Sequence, residues 1–108
     1  MENGTYRYDI EMSTPLGARR GNLELIVWND FLNGYLTMFT RTIPIQNGKC
    51  FGNKVSFGGD MKTLMNMLPY QANGTLSPTG VELMIETQQG TYHTKGILTE
   101  FRRDTNHG

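Results

Sequence analysis

The sequence predicts an all-β fold, a single small antiparallel meander β-barrel of about seven to nine short strands with at most one short helix near residues 61–68. Three observations carry this expectation. Apolar residues recur with a period of two along most of the 108-residue chain. Alanine occurs only at Ala18 and Ala72, whereas glycine and threonine each occur 13 times, a mix that suits pleated strands and tight connections rather than helices. Turn-forming pairs interrupt the runs at short intervals. A chain of this length is one domain, residues 1–108.

Each element follows from its alternation. In Thr5 to Met12 the even positions Tyr6, Tyr8, Ile10 and Met12 are apolar or aromatic and the odd ones polar, as in a half-buried strand. Leu23, Leu25 and Val27 alternate with Asn22 and Glu24, and Leu36 and Met38 oppose Tyr35, Thr37 and Phe39. Val55 and Phe57 form a fourth set, and Tyr70, Ala72 and Leu76 a looser fifth. Val81, Leu83 and Ile85 alternate with Glu82 and Glu86, and a last run carries Tyr92, Ile97, Leu98 and Phe101 around Gly96. In residues 61–68, Met61, Leu64, Met65 and Leu68 fall on one helical face, so a short helix and a bulged strand both fit there, and Pro69 ends either.

Glycine reads as punctuation. Asn3-Gly4, Asn33-Gly34, Asn47-Gly48 and Asn73-Gly74 each suit a type I′ turn or a bulge, and residues 14–17 and 77–80 are Pro-led turns. Gly58-Gly59-Asp60 and Gln88-Gln89-Gly90 are further breaks, and no glycine sits in a phosphate-cradling pattern. Asn3-Gly4-Thr5 and Asn73-Gly74-Thr75 match a glycosylation sequon but read as turns, because no secretory signal opens the chain. Short strands of this kind must bury a shared face. Closing the sheet removes the exposed edges that an open one would leave, so a barrel is preferred over a two-sheet sandwich.

The opening Gly4-Thr5-Tyr6-Arg7-Tyr8, the closing run from Gly90-Thr91-Tyr92 to Gly96, and strand-Gly-strand units such as Asn33-Gly34-Tyr35-Leu36 and residues 52–57 resemble a small bacterial lipocalin-like (calycin) barrel. The likeness covers most of the chain as a pattern. Tyr6 stands where the better-known lipocalins carry the tryptophan of a Gly-x-Trp motif, and the long C-terminal helix of that family has no counterpart. The resemblance implies a barrel whose interior holds a small apolar molecule.

Charge and composition narrow the function. Ten Lys and Arg balance ten Asp and Glu, which argues against a chain built to coat nucleic acid or an anionic membrane. An oligonucleotide-binding barrel, with Arg19-Arg20 and Arg102-Arg103 beside Trp28, Tyr35 and Phe39, is the reading this balance disfavours. No apolar run is long enough for a membrane span, and no targeting segment is present, so the expected location is cytoplasmic. Cys50 is the single cysteine. His93, His107 and Cys50 lack metal-ligand spacing, and no local signature makes Cys50 and His93 a nucleophile and base, so no cofactor and no catalytic residue are expected. Asp9 with Glu11, and Glu82 with Glu86, read as a solvated exterior rather than a paired acid and base.

Two binding readings remain. The inward set Tyr6, Tyr8, Met12, Met38, Phe57 and Leu83 would line a soft pocket, since methionine adapts to irregular shapes as well as filling cores. The leading function is thus a non-catalytic barrel that binds a small apolar molecule. The alternative is a filled barrel that self-associates through an apolar second face of Ile26, Trp28, Tyr35, Phe39, Ile43 and Ile45.

Overall fold

In a computed structural model, which describes residues 2–62, 65 and 67–103, the chain folds as a closed antiparallel barrel. Its strands are β1 (Gly4–Thr14), β2 (Gly17–Trp28), β3 (Phe31–Met38), β4 (Arg41–Pro44), β5 (Gln46–Phe51), β6 (Lys54–Lys62), β7 (Met67–Leu76), β8 (Gly80–Thr87) and β9 (Gly90–Arg103). Eight strands close the wall in meander order, with β9 returning to β1. The ninth, β4, is a short extra strand that runs through Ile45 into β5, so that β3 pairs with β4 over one half and with β5 over the other. This is the closed antiparallel barrel that the alternation predicts.

The inward faces match the expected sets on six strands. Tyr8, Ile10, Met12, Leu23, Leu25, Val27, Leu36, Met38, Val55, Phe57, Tyr70, Ala72, Leu76, Val81, Leu83 and Ile85 all join one buried core. Outside, charges alternate from strand to strand. Arg20 faces Glu11, Glu11 faces Lys95, and Lys95 faces Glu82 in the ladder register, while Arg7 bridges Glu24 at 2.9 Å and Glu100 at 3.2 Å. Asp9, Glu11, Glu82 and Glu86 are exposed, as their alternation with apolar residues predicts. Exposed pairs of this kind each contribute little, roughly 0–1 kcal/mol, but they favour this register over a slipped one.

Two bulges reset the alternation. Asn47, at φ 54°, is the extra residue of β5 opposite β6, so inward positions pass from Ile43 and Ile45 to Cys50. Thr99 is the extra residue of β9 opposite β1, and its hydroxyl donates to the Arg7 carbonyl at 3.1 Å. Inward positions before it are Thr94, Gly96 and Leu98, and after it Phe101. Ile97 is therefore exposed rather than part of an inward set.

Three expectations are corrected, and the choice left open at 61–68 falls to strand at its described ends. Ile43 and Ile45, placed on the outer apolar face from sequence, are inward and 7% exposed each, and Phe39 packs partly against the core from the β3–β4 turn. Asn33-Gly34 and Asn73-Gly74 lie inside β3 and β7 rather than at turns, and residues 58–60 continue β6 without a break. Asn3 opens no turn of its own; its side chain accepts a hydrogen bond from the Asn29 N–H of the β2–β3 turn at 2.8 Å. The ends of the 61–68 stretch are strand, with Met61 opposite Leu68 and Lys62 opposite Met67, while positions 63, 64 and 66 lie outside the described residues.

The displaced glycines have a structural task. At Gly34, with φ +141°, a side-chain Cβ would overlap the backbone carbonyl of Glu24, and at Gly74 it would overlap that of Glu82. Both face inward, where the wall must bend sharply to close on a small cross-section. The β3–β4 turn, by contrast, holds Phe39 and Thr40 at φ 52° and 61°, left-handed values that cost bulky and β-branched residues energy. We expect Gly34→Ala to destabilise the fold by more than about 2 kcal/mol. Thr40→Gly should stabilise it by a few tenths to about 1 kcal/mol, strain relief exceeding the added chain entropy. Urea unfolding of both variants measures the two opposite signs.

Candidate functional site

The barrel has two different ends. At the first lie the turns after β1, β3, β6 and β8, and there the inward positions of the strand ends carry Met12, Met38 and Met61, all buried. Met67 starts β7 at this end, and Met65 is exposed in the connection before it. The unbranched, polarisable methionine side chain adjusts its shape at low cost, so this end is the softest part of the core.

The wall is also incomplete here. β4 pairs only with β3, and β6 beyond Gly58 pairs only with β7. Among the described residues no ladder joins residues 41–44 to residues 59–62, although the two strands are neighbours. Behind this seam stands Tyr70 of β7. Gly59, its cross-strand partner, leaves the room for its ring, because a Cβ there would lie 3.1 Å from Tyr70 Cε1 and 3.3 Å from the Pro44 carbonyl oxygen. The ring also meets Phe57 edge to face at 6.2 Å.

Among the described residues, two buried side-chain hydroxyls in this part of the interior make no hydrogen bond. The Tyr70 hydroxyl and the Thr94 hydroxyl are both buried without a partner, their residues being 6% and 0% exposed. Thr94 lies opposite Met12 on one side and Leu83 on the other. Burial pushes the Tyr70 phenol well above its ordinary value of 10.0, with the Asp60 charge adding to the effect. It therefore remains a neutral donor and acceptor through the physiological range. Tyr8 is raised in the same way, first by burial and then by Tyr6.

Of the six residues expected to line a pocket, Tyr8, Met12, Met38, Phe57 and Leu83 share this one core and are sealed from water. Tyr6 is partly buried and packs against the same core toward the opposite end, where its ring lies 4.6 Å from that of Phe101 and its hydroxyl donates to the Glu2 carbonyl at 2.6 Å. Sequence reading missed Tyr70 as a polar site and Thr94 altogether. A tyrosine and a threonine at inward positions of an apolar alternation are the signal that was present.

Elsewhere the chemistry is sparse. Cys50 is inward on β5, its thiol raised by burial, whereas His93 is exposed on β9; the two form no pair. His107 lies outside the described residues. Arg103 meets Glu2 at 2.8 Å and Arg102 meets Glu100 at 3.4 Å, both in solvent. Among the described residues no three metal-ligating side chains converge. A half-open cleft of about 1140 Å³ crosses β2, β1, β9 and β8 to the β7–β8 turn; buried Ile10, Leu76 and Val81 reach it, and Arg20, Glu11, Lys95 and Glu82 alternate along it and present no field of one sign.

The chain matches no protein-family model, no curated protein and no solved structure. What it can do is read from its own geometry.

The raised phenol has a consequence for stability. Unfolded Tyr70 ionises from about pH 10 upward while the folded form stays protonated, so the fold binds the extra proton and loses stability as pH rises above 10. The loss should approach about 1.4 kcal/mol per pH unit for one such tyrosine. Urea unfolding at pH 9, 10 and 11 should show a shallower decline in Tyr70→Phe than in the parent protein.

Proposed function

We propose that this protein is a non-catalytic, lipocalin-like binding barrel that takes one small, mostly apolar molecule at the methionine-lined end of its interior. The observation that carries the proposal is the pair of buried hydroxyls without partners. Each costs about 1–3 kcal/mol when left unsatisfied, and phenylalanine at 70 and valine at 94 would fill nearly the same volume at no such cost. A guest with a hydroxyl or carbonyl would satisfy them. Met12, Met38 and Met61 supply walls that can yield, and the stretch between β4 and β6, closed by packing but not laced by ladder hydrogen bonds, is where the wall beside Tyr70 would part most easily. Such a site binds by apolar burial and gains selectivity from the two hydroxyls, the ordinary division of labour in a small-molecule pocket.

The test combines native mass spectrometry of the freshly purified protein with a fluorescence titration of 1-naphthol, an apolar bicycle with one hydroxyl. The expected results are an excess mass that disappears on denaturation, or one-site binding of 1-naphthol by the emptied protein. In Tyr70→Phe/Thr94→Val, stability should rise while naphthol binding weakens roughly tenfold, the loss of about one net hydrogen bond. A bare native mass together with no naphthol binding would overturn the proposal. So would binding that is unchanged in a variant whose stability has risen.

A further inference from the structure

The opposite end of the barrel carries an apolar surface of another kind. Here the two-residue β2–β3 turn, 29–30, brings Trp28 directly opposite Phe31, and Phe31 faces Lys49 of β5. Phe51 stands two residues beyond Lys49 on the same outer face, within diagonal reach of Phe31. Trp28 is 52% exposed, Phe31 65% and Phe51 85%. Ile26 and Tyr35 extend the patch along β2 and β3. Only three of the six outer residues expected from sequence, Ile26, Trp28 and Tyr35, lie here, while the two most exposed members, Phe31 and Phe51, were not among them.

We infer that this outer aromatic face is the contact through which two copies of the chain associate. The area is of the right size. The exposed fractions of Trp28, Phe31 and Phe51 amount to about two whole aromatic side chains, on the order of 400 Å². Tyr35 and Ile26 raise this to roughly 500–600 Å². One side of a standard interface buries about 800 Å², of which some 65% is apolar in a homodimer, or about 520 Å². One face of this protein thus carries the apolar content that one half of a dimer needs.

The charges select a second copy over a partner of strong charge. The chain has no net charge, so two copies do not repel at a distance. The patch and its rim carry Asp30 in the β2–β3 turn, Lys49 between Phe31 and Phe51, and Lys54 opposite Phe51, both signs on one surface. A two-fold axis sets a surface against itself in reverse, which matches such a rim with its own opposite. An acidic or basic partner would call for a rim of one sign. On this side of the barrel β2, β3 and β5 are hydrogen-bonded to their neighbours, so the copies meet through side chains and not by adding strands to an edge.

Sedimentation velocity of the full chain from about 1 to 500 μM tests the inference, with Trp28 emission followed over the same dilution. Trp28 is the single tryptophan, so its emission reports on the patch alone. A two-copy species is expected at the upper concentrations, with emission shifting to the red as it dissociates. Phe31→Thr and Phe51→Ser should each weaken association at least tenfold, as loss of an interface anchor does, and leave the dilute protein's unfolding midpoint within error. Met84→Thr, an exposed apolar residue on β8 away from the patch, should leave association unchanged. A single-copy mass throughout the range would overturn the inference. So would a dimer that Phe31→Thr and Phe51→Ser leave as tight as before. Since the patch and the interior end are separate surfaces, naphthol binding and dimerisation can each fail while the other stands.

Discussion

Closure of the wall is the constraint on which everything else in this molecule rests. Eight strands make a barrel just wide enough to be filled by its own side chains, and closing them on so small a circumference requires sharp local coiling. Glycine supplies it at inward positions on several strands, among them Gly21, Gly34, Gly48, Gly74 and Gly96, where an added Cβ would collide with a neighbouring strand or with the core. Closure in turn removes the free edges of most strands, gives every inward residue the same apolar surroundings, and sets the outer charges in alternating rows. It is relaxed in one described place, between β4 and the far half of β6, and that place lies beside the softest part of the core.

Much of this was legible in the sequence, for a definite reason. A strand with one buried face must alternate, so Tyr8, Ile10, Met12 and Leu23, Leu25, Val27 announce both their strand and their orientation. The Pro-led turns at 14–17 and 77–80 are likewise local events written in local residues. What failed was whatever depends on a neighbouring strand. Asn33-Gly34 looks like a hairpin turn in isolation, yet its glycine answers to the carbonyl of Glu24. The bulge at Thr99 exists only relative to β1, so Ile97 was misassigned by reading straight through it, and the two-residue turn after Met38 swaps the inward parity by setting Ile43 opposite Leu36, which is why Ile43 and Ile45 were misassigned. The β3–β4 turn is the converse case, a turn built from Phe39 and Thr40 with no turn residue to announce it.

The candidate sites divide along the same line. Alternation identifies Met12, Met38 and Leu83 as inward but cannot say that their end of the barrel also contains an unlaced stretch of wall, because that is a property of how β4 and β6 fail to pair. Nor can it say that Tyr70 and Thr94 lack partners, since a hydroxyl's satisfaction depends on atoms from other strands. The outer aromatic face was half visible. Trp28 was legible as an outward aromatic on its strand, whereas Phe31 and Phe51 flank turns whose placement had to be known first.

A sequence that specifies one structure agrees with itself at every level, and departures from that agreement tend to mark function. Most of this chain agrees: apolar inside, charged outside, glycine at the tight bends. The departures are few and they are segregated. Polar groups stand unsatisfied inside the barrel at one end, and large aromatics stand uncovered outside it at the other. A chain optimised only to fold would exchange the two, placing phenylalanine within and polar side chains without. Their separation by the length of the barrel also means that neither needs the other. The proposed guest would sit inside the methionine end and the proposed association would centre on Trp28, Phe31 and Phe51 at the other, although Tyr35, which pairs with Pro44 of β4, brings the aromatic face toward the unlaced wall. The two departures are the observations on which the proposed inner and outer functions rest, and a closed wall joins them.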